Sequence, residues 1–372
     1  SGSLLMSAGA DGTCRLWCTR RWVCAQRLSG HTGDVNAACW SPDGRTVASA
    51  GIDRTCRLWD ASRTPAQRLL DGHKAGVLAL SISPDGVYAA TASADCTCRL
   101  WHLASGSCQT VLQGHSDNVT DVSWSADSER LATASVDGTA RLWLASSGAC
   151  TAVMAGHSSE VTRAHLSPRC GRVATSSWDG TVRVWTAGGS SCERMLLGHH
   201  GEVNWVAWSP DCTRIASAGG DGTARIWMAD LGTCDHVLQA HSGDVARVEW
   251  SLSGAMLATC GADGECCTWS ARSGALLRRF TAHHDSVVRI AWHPAADSIV
   301  ASASADGTCC VWNAVPGHLP VRCIASAAGR GSGASVRAVP ATPAANALSS
   351  ARGVGFGATH RPPPVSTASV RL

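Results

Sequence analysis

Residues 31–59 read HTGDVNAACWSPDGRTVASAGIDRTCRLW, and their pattern decides the fold. Val35 to Trp40 mixes apolar and small residues over the length of a strand, and Ser41-Pro42-Asp43-Gly44 is a tight-turn sequence. Thr46 to Ser49 predicts a second strand, and Gly51 to Arg54 a second turn. Thr55-Cys56-Arg57-Leu58-Trp59 alternates with period two as a third strand. Gln67 to Leu70 supplies a fourth before Gly72-His73 restarts the pattern.

The same unit recurs along most of the chain. Histidines fall at 42-residue steps from His31 to His283, and aspartates keep the same step from Asp11 to Asp263, with Asp306 one residue late. A tryptophan stands six residues after each of these aspartates, from Trp17 to Trp312. Self-similarity at this period marks one supersecondary unit copied many times. Four short antiparallel strands per copy, with no room for a long helix, form the blade of an all-β propeller.

The residues resemble the WD40 repeat family. The resemblance rests on the Gly-His pair of the first five copies and the Ser-Pro-Asp-Gly turns at 41–44 and 83–86. It rests also on the closing Asp-Gly-Thr-x-Arg-Leu-Trp, near complete at 11–17, 137–143 and 221–227. The Trp-Asp pair that names the family survives only as Trp59-Asp60. The resemblance implies a hydrogen-bonded Trp, Ser/Thr, His and Asp inside each blade, and a hydroxyl residue does stand four positions before every turn aspartate. The implied structural sets are His31, Ser49, Asp53 and Trp59; His73, Thr91, Asp95 and Trp101; His115, Thr133, Asp137 and Trp143; and His157, Thr175, Asp179 and Trp185. They continue with His199, Ser217, Asp221 and Trp227; His241, Thr259, Asp263 and Trp269; and His283, Ser302, Asp306 and Trp312. Hydroxyl, imidazole and carboxylate recur alike in every copy and single out no nucleophile, so no catalytic residue and no enzyme activity are expected. Arg15, Arg57, Arg99, Arg141, Arg183 and Arg225 precede the strand tryptophan by two and read as packing between blades, with stem buried and head paired.

Seven copies have all four strands, and residues 1–28 supply three more: Leu4 to Ser7, Thr13 to Trp17 and Cys24 to Leu28. Eight blades are therefore favoured, seven complete over 29–324 and one partial, with a seven-bladed ring as the alternative. The propeller is assigned to 1–324. A missing innermost strand leaves a raw sheet edge, and the expected donor is either chain upstream of Ser1 or the tail near 335–340, which echoes Ser286 to Ala291. The remainder of 325–372, rich in Gly, Ala, Pro and Arg, reads as a disordered segment.

Charge and cysteine content narrow the function classes. The tail holds five arginines and no acid, so a chain net charge of +3 leaves the repeats near −2. That is a poor platform for nucleic acid, and no apolar run approaches the length of a membrane span. The 19 cysteines lack paired metal-ligand spacing, and several share a repeat phase with small apolar residues. They read as buried free thiols suited to a reducing compartment, with no metal and no cofactor expected and the cytoplasm, or alternatively the nucleus, as location.

By resemblance, function sits on the narrow top face of the ring, where three repeat phases project. Three residues after the seven histidines stand Asp34, Gly76, Asn118, Glu160, Glu202, Asp244 and Ser286, four acids and no base, which makes that rim acidic. Five after stand Asn36 and Asn204, among others. One before each turn aspartate the residues are small or aliphatic except Trp178, and Trp205 in the next copy is expected to enlarge its patch. These eight residues are the expected partner-binding set, and an acidic rim favours a basic peptide segment. The expected function is a non-catalytic protein–protein interaction scaffold that assembles a multiprotein complex. The alternative is the targeting or substrate-recognition domain of a larger signalling or regulatory protein.

Overall fold

The computed structural model describes residues 4–62, 68–169, 171–186, 188, 191–315, 323–325, 338–339 and 369–371. They form an all-β propeller of eight antiparallel sheets, with no helix among the described residues. A typical blade runs outward from Val35–Trp40 through Thr46–Gly51 and Cys56–Asp60 to Arg68–Leu70, consecutive strands pairing in sequence order.

Each hairpin follows from its local sequence. In the Ser41–Gly44 turn the Asp43 carboxylate accepts from the Ser41 hydroxyl and from the Arg45 backbone N–H, and Gly44 adopts a φ of 69° that a side chain would strain. The middle of the second strand is built of small residues in the seven full blades: Ala48, Ser49 and Ala50, for example, are all fully buried. Without bulk at these central positions, neighbouring blades approach closely, and large residues from the next blade fill the gap. One core cluster joins Ala216, Ala218 and Ile226 of one blade to Trp250, Leu257 and Trp269 of the following blade.

The inner strand carries a bulge at a fixed place. Val35 pairs with Gly51 but Ala37 pairs with Ala50, leaving Asn36 outside the ladder. The same shift recurs between Val119 and Asp121, Val161 and Arg163, and Val203 and Trp205. An extra residue re-aims the side chains around it, and that displacement shapes both the blade contacts and the centre of the ring.

The ring closes through the tail, though not through the segment expected. Leu4–Ala8, Thr13–Cys18 and Val23–Ser29 form the partial blade, and Ser369–Arg371 pairs antiparallel with Leu4–Ala8 as its innermost strand. Of 335–340 only 338–339 are described; Ala338–Val339 lies on the outer edge of Leu276–Phe280, far from the vacant inner position. Eight blades form, so the seven-bladed alternative does not hold. The expectation of a disordered tail falls mostly outside the described residues. Cys310 also departs from the free-thiol reading, because it is disulfide-bonded. Sixteen other described cysteines are free, nine of them buried.

Candidate functional site

The seven histidine-centred sets are in contact, and their geometry fixes every proton. The Trp Nε1–H donates to the Ser or Thr oxygen at 2.8–2.9 Å. That hydroxyl donates to His Nε2 at 2.7–2.8 Å. In six sets the His Nδ1–H then donates to the aspartate at 2.8–3.0 Å. The seventh differs: His283 Nδ1 meets the Thr308 hydroxyl at 2.9 Å, and the Asp306 carboxylate stands back at 3.4 Å. In the partial blade Trp17 still donates to Ser7, and Asp11 engages Arg15 at 2.6 Å where other blades have an imidazole.

Protonation follows from burial. Burial lowers the pKa of His31, His73, His115, His157, His199 and His283 against the pull of their aspartates, keeping the rings neutral. Burial pushes the Asp95 carboxyl up, but bonds from the Thr97 hydroxyl, the Lys74 N–H and His73 outweigh it and hold it at about 2. Ser49, Thr91, Thr133, Thr175, Ser217, Thr259 and Ser302 are fully buried. No substrate atom can reach such hydroxyls, so the chain Trp–hydroxyl–His–Asp satisfies polar groups inside the blade and offers no nucleophile.

The repeated arginines explain the glycine of the Gly-His pair. A Cβ on Gly72 would meet the Arg99 guanidinium at 2.8 Å, and Gly114, Gly156 and Gly198 face Arg141, Arg183 and Arg225 in the same way, each at a φ of 154–157°. The sixth full copy replaces glycine by Ala240 and arginine by Cys267, and Arg279 from the outer strand compensates, bonding Glu265 at 2.8 Å and the Ala240 carbonyl at 2.7 Å. There His241, Glu265 and Cys267 bring three potential metal donors together. Both imidazole nitrogens are already engaged with Asp263 and Thr259, and Arg279 neutralises Glu265, so the donor set is committed elsewhere.

The top-face residues divide into two groups. Trp178 is 44% exposed at its turn tip. Glu202 and Asp244 are exposed, while Asp34 and Glu160 are half-buried. The turn tip of one copy lies against the rim residue of the next, as the 3.4 Å distance from the Ile52 Cα to a Cβ built on Gly76 shows; Trp178 and Glu202 hold the corresponding positions of the fourth and fifth full copies. Asn36 and Asn204 behave differently. As bulge residues they turn sideways, and Asn36 Nδ2 donates to the Val77 carbonyl at 2.8 Å and Asn204 Nδ2 to the Val245 carbonyl at 3.1 Å, each in the next blade. Thr120 and Thr162 make the equivalent bonds to Val161 and Val203. The phase read as recognition surface thus joins the blades.

Trp205 also leaves the expected patch. The bulge after Val203 turns its ring toward the axis of the ring, between the guanidiniums of Arg163 and Arg247, whose carbons lie 3.6 and 3.5 Å from the indole centroid. A further set of residues, unassigned from sequence, reinforces the blade contacts. The indoles of Trp124, Trp208, Trp250 and Trp292 donate to carbonyls of the preceding blade, at Ser81, His165, Ala207 and Glu249, at 3.1–3.2 Å. Their common repeat phase, which also holds Trp40, was the available signal.

Comparison with protein-family models matches the WD domain, G-beta repeat, over 1–18, 22–60, 64–102, 106–143, 148–186, 190–228, 232–270 and 274–313. From the second onward, each matched segment takes in the outer strand of one blade and the three inner strands of the next, and the chain belongs to the WD40 repeat family. Among curated proteins no match is found. Propellers of this family generally mediate protein–protein interaction and are generally non-catalytic.

Proposed function

We propose that this chain is a non-catalytic scaffold that assembles a protein complex through the top face of its propeller, with Trp178 as the anchor. The single supporting observation is the exposed indole at that turn tip, where sister copies carry Ala, Val, Ile or Gly. Exposed tryptophans are enriched among the residues that dominate binding energy. Glu202 and Asp244 are the exposed acids of the neighbouring rim, supported by the half-buried Asp34 and Glu160. Their charge favours a basic peptide segment and speeds its encounter.

The test is capture from source lysate with wild type, Trp178→Ala and Glu202→Lys, each first matched for melting temperature. Proteins retained by wild type and lost from both variants support the reading. An identical set on all three removes the top face from the function.

A further inference from the structure

The circumference of the ring is a series of sheet edges, because each blade ends in its outer strand. A free edge offers a row of backbone N–H and C=O groups to any extended chain, and folded proteins blunt such edges with charge, short strands or a cover. One edge is covered here: Ala338–Val339 lies along Leu276–Phe280, so an outer edge of this ring does take a further strand. Among the described residues the other outer strands have no neighbour on their far side.

Most of them carry a blunting device. Arg68–Leu70 and Cys323–Ala325 are only three residues long. Val23–Ser29 contains Arg27, Cys192–Leu196 the pair Glu193-Arg194, and Cys234–Gln239 Asp235. Cys108–Gln113 lacks charge but presents the amides of Gln109 and Gln113 to solvent. Cys150–Ala155 has none of these devices. It reads CTAVMA over six residues and exposes Cys150, Thr151, Val153 and Ala155. Ala152 and Met154 are buried in the blade, and the strand pairs with Thr139–Leu144 along its length, so the edge is presented as an ordered strand.

The same lack of charge selects the occupant. Two copies of one strand, brought together antiparallel about a two-fold axis, meet residue for residue around the centre. Cys192–Leu196 centred on Arg194, or Leu276–Phe280 centred on Arg278, would set like charges opposite each other, which is destabilising. Centred on Val153, two copies of Cys150–Ala155 set valine opposite valine and Ala152 opposite Met154, with no charge on either strand. Directly opposed side chains share a face of the sheet, so the two exposed valines cover each other.

We propose that two copies of this chain associate edge to edge through Cys150–Ala155, antiparallel, joining two blades into one continuous sheet. This surface lies on the circumference and is independent of the top face. A single strand pair is a small interface, so the association is weak and reversible.

The experiment is sedimentation velocity of the full chain from low to high micromolar concentration, with hydrogen exchange alongside. Reduced glutathione is present so that exposed thiols do not link copies. The expected result is a reversible monomer–dimer equilibrium, with the backbone N–H groups of 150–155 exchanging more slowly as dimer forms. Val153→Lys puts a charge on the edge and should weaken dimerisation at least tenfold. Its melting temperature, taken at a dilution where both proteins are monomers, should match wild type. Should that variant not fold, Ala155→Lys is measured for the same tenfold loss. A monomer at every concentration overturns the proposal, as does a dimer that the folded variant retains. Slow exchange of 150–155 in a monomer would give the edge to another segment of the same chain, and overturns it as well.

Discussion

Asn36 Nδ2 donates to the carbonyl oxygen of Val77, 2.8 Å away across a blade boundary. A polar residue on the rim of a propeller is here a joint between blades, because the bulge that follows Val35 turns it sideways. Removing the amide leaves the Val77 carbonyl without that donor, and a hydrogen bond of this kind contributes about 1 kcal/mol. Asn36→Ala should therefore lower urea stability by about that amount, and Asn204→Ala should match it. Neither should change which proteins are captured. Loss of partners at unchanged stability would return both residues to the recognition surface.

Inside the blades the cost should be larger. Thr175→Val keeps the shape but strands His157 Nε2 and the Trp185 Nε1–H, both of which meet the Thr175 hydroxyl in a dry environment. Stranded buried groups cost about 1–3 kcal/mol, so this change should destabilise more than Asn36→Ala. The His283 set, whose imidazole leans on Thr308 in place of a close carboxylate, should tolerate Asp306→Asn better than the Thr175 site tolerates valine. Chemical denaturation of the variants side by side checks the order.

The buried imidazoles predict a pH dependence. Their folded pKa values lie below the ordinary 6.5, so the unfolded chain takes up protons first as pH falls. Stability should be fully present above about pH 6.5 and decline as pH drops from there through the folded values. Asp95, Asp137, Asp179 and Asp221, held at about 2 against an ordinary 3.8, should add a second loss below pH 3.8. Thermal melts from pH 8 to pH 3 read both. A melting temperature that is flat from pH 7 to pH 4 would contradict the assignment of neutral, tightly held histidines.

Ring closure by the tail makes its own prediction. Deleting 369–372 uncovers the edge of Leu4–Ala8, a strand otherwise paired with Ser369–Arg371. The truncated chain should melt lower and aggregate, since an unpaired inner edge invites strand addition. Light scattering during the melt measures both effects, and a truncated chain indistinguishable from the full one would leave closure to another segment.

The blades were legible in the sequence because each depends on offsets internal to one repeat. A histidine, a hydroxyl, an aspartate and a tryptophan at fixed separations can be found without knowing where the ring runs. What lay beyond reach depends on relations between copies. Asn36 reads as an exposed polar residue until the bulge is known, since one extra residue changes which way a strand side chain points. For the same reason Trp205 reads as a rim residue in the sequence and lies at the axis. The closing strand failed differently: 335–340 echoes an inner strand, whereas Ser369–Arg371 is too short to carry a repeat signature and is placed by the vacancy it fills. Trp178 stands out in the sequence by its contrast with its sister positions, and its indole is exposed at the turn tip.

Whether partners dock on the top face is read by site-specific photo-crosslinking in source cells. A benzophenone amino acid replaces Trp178 in one chain and Met195, an exposed residue of an outer strand, in another. Docking on the top face gives discrete adducts from position 178 that Glu202→Lys abolishes, and none of those adducts from position 195. Adducts of the same proteins from position 195, with none from 178, would place recognition on the sides of the blades and contradict it.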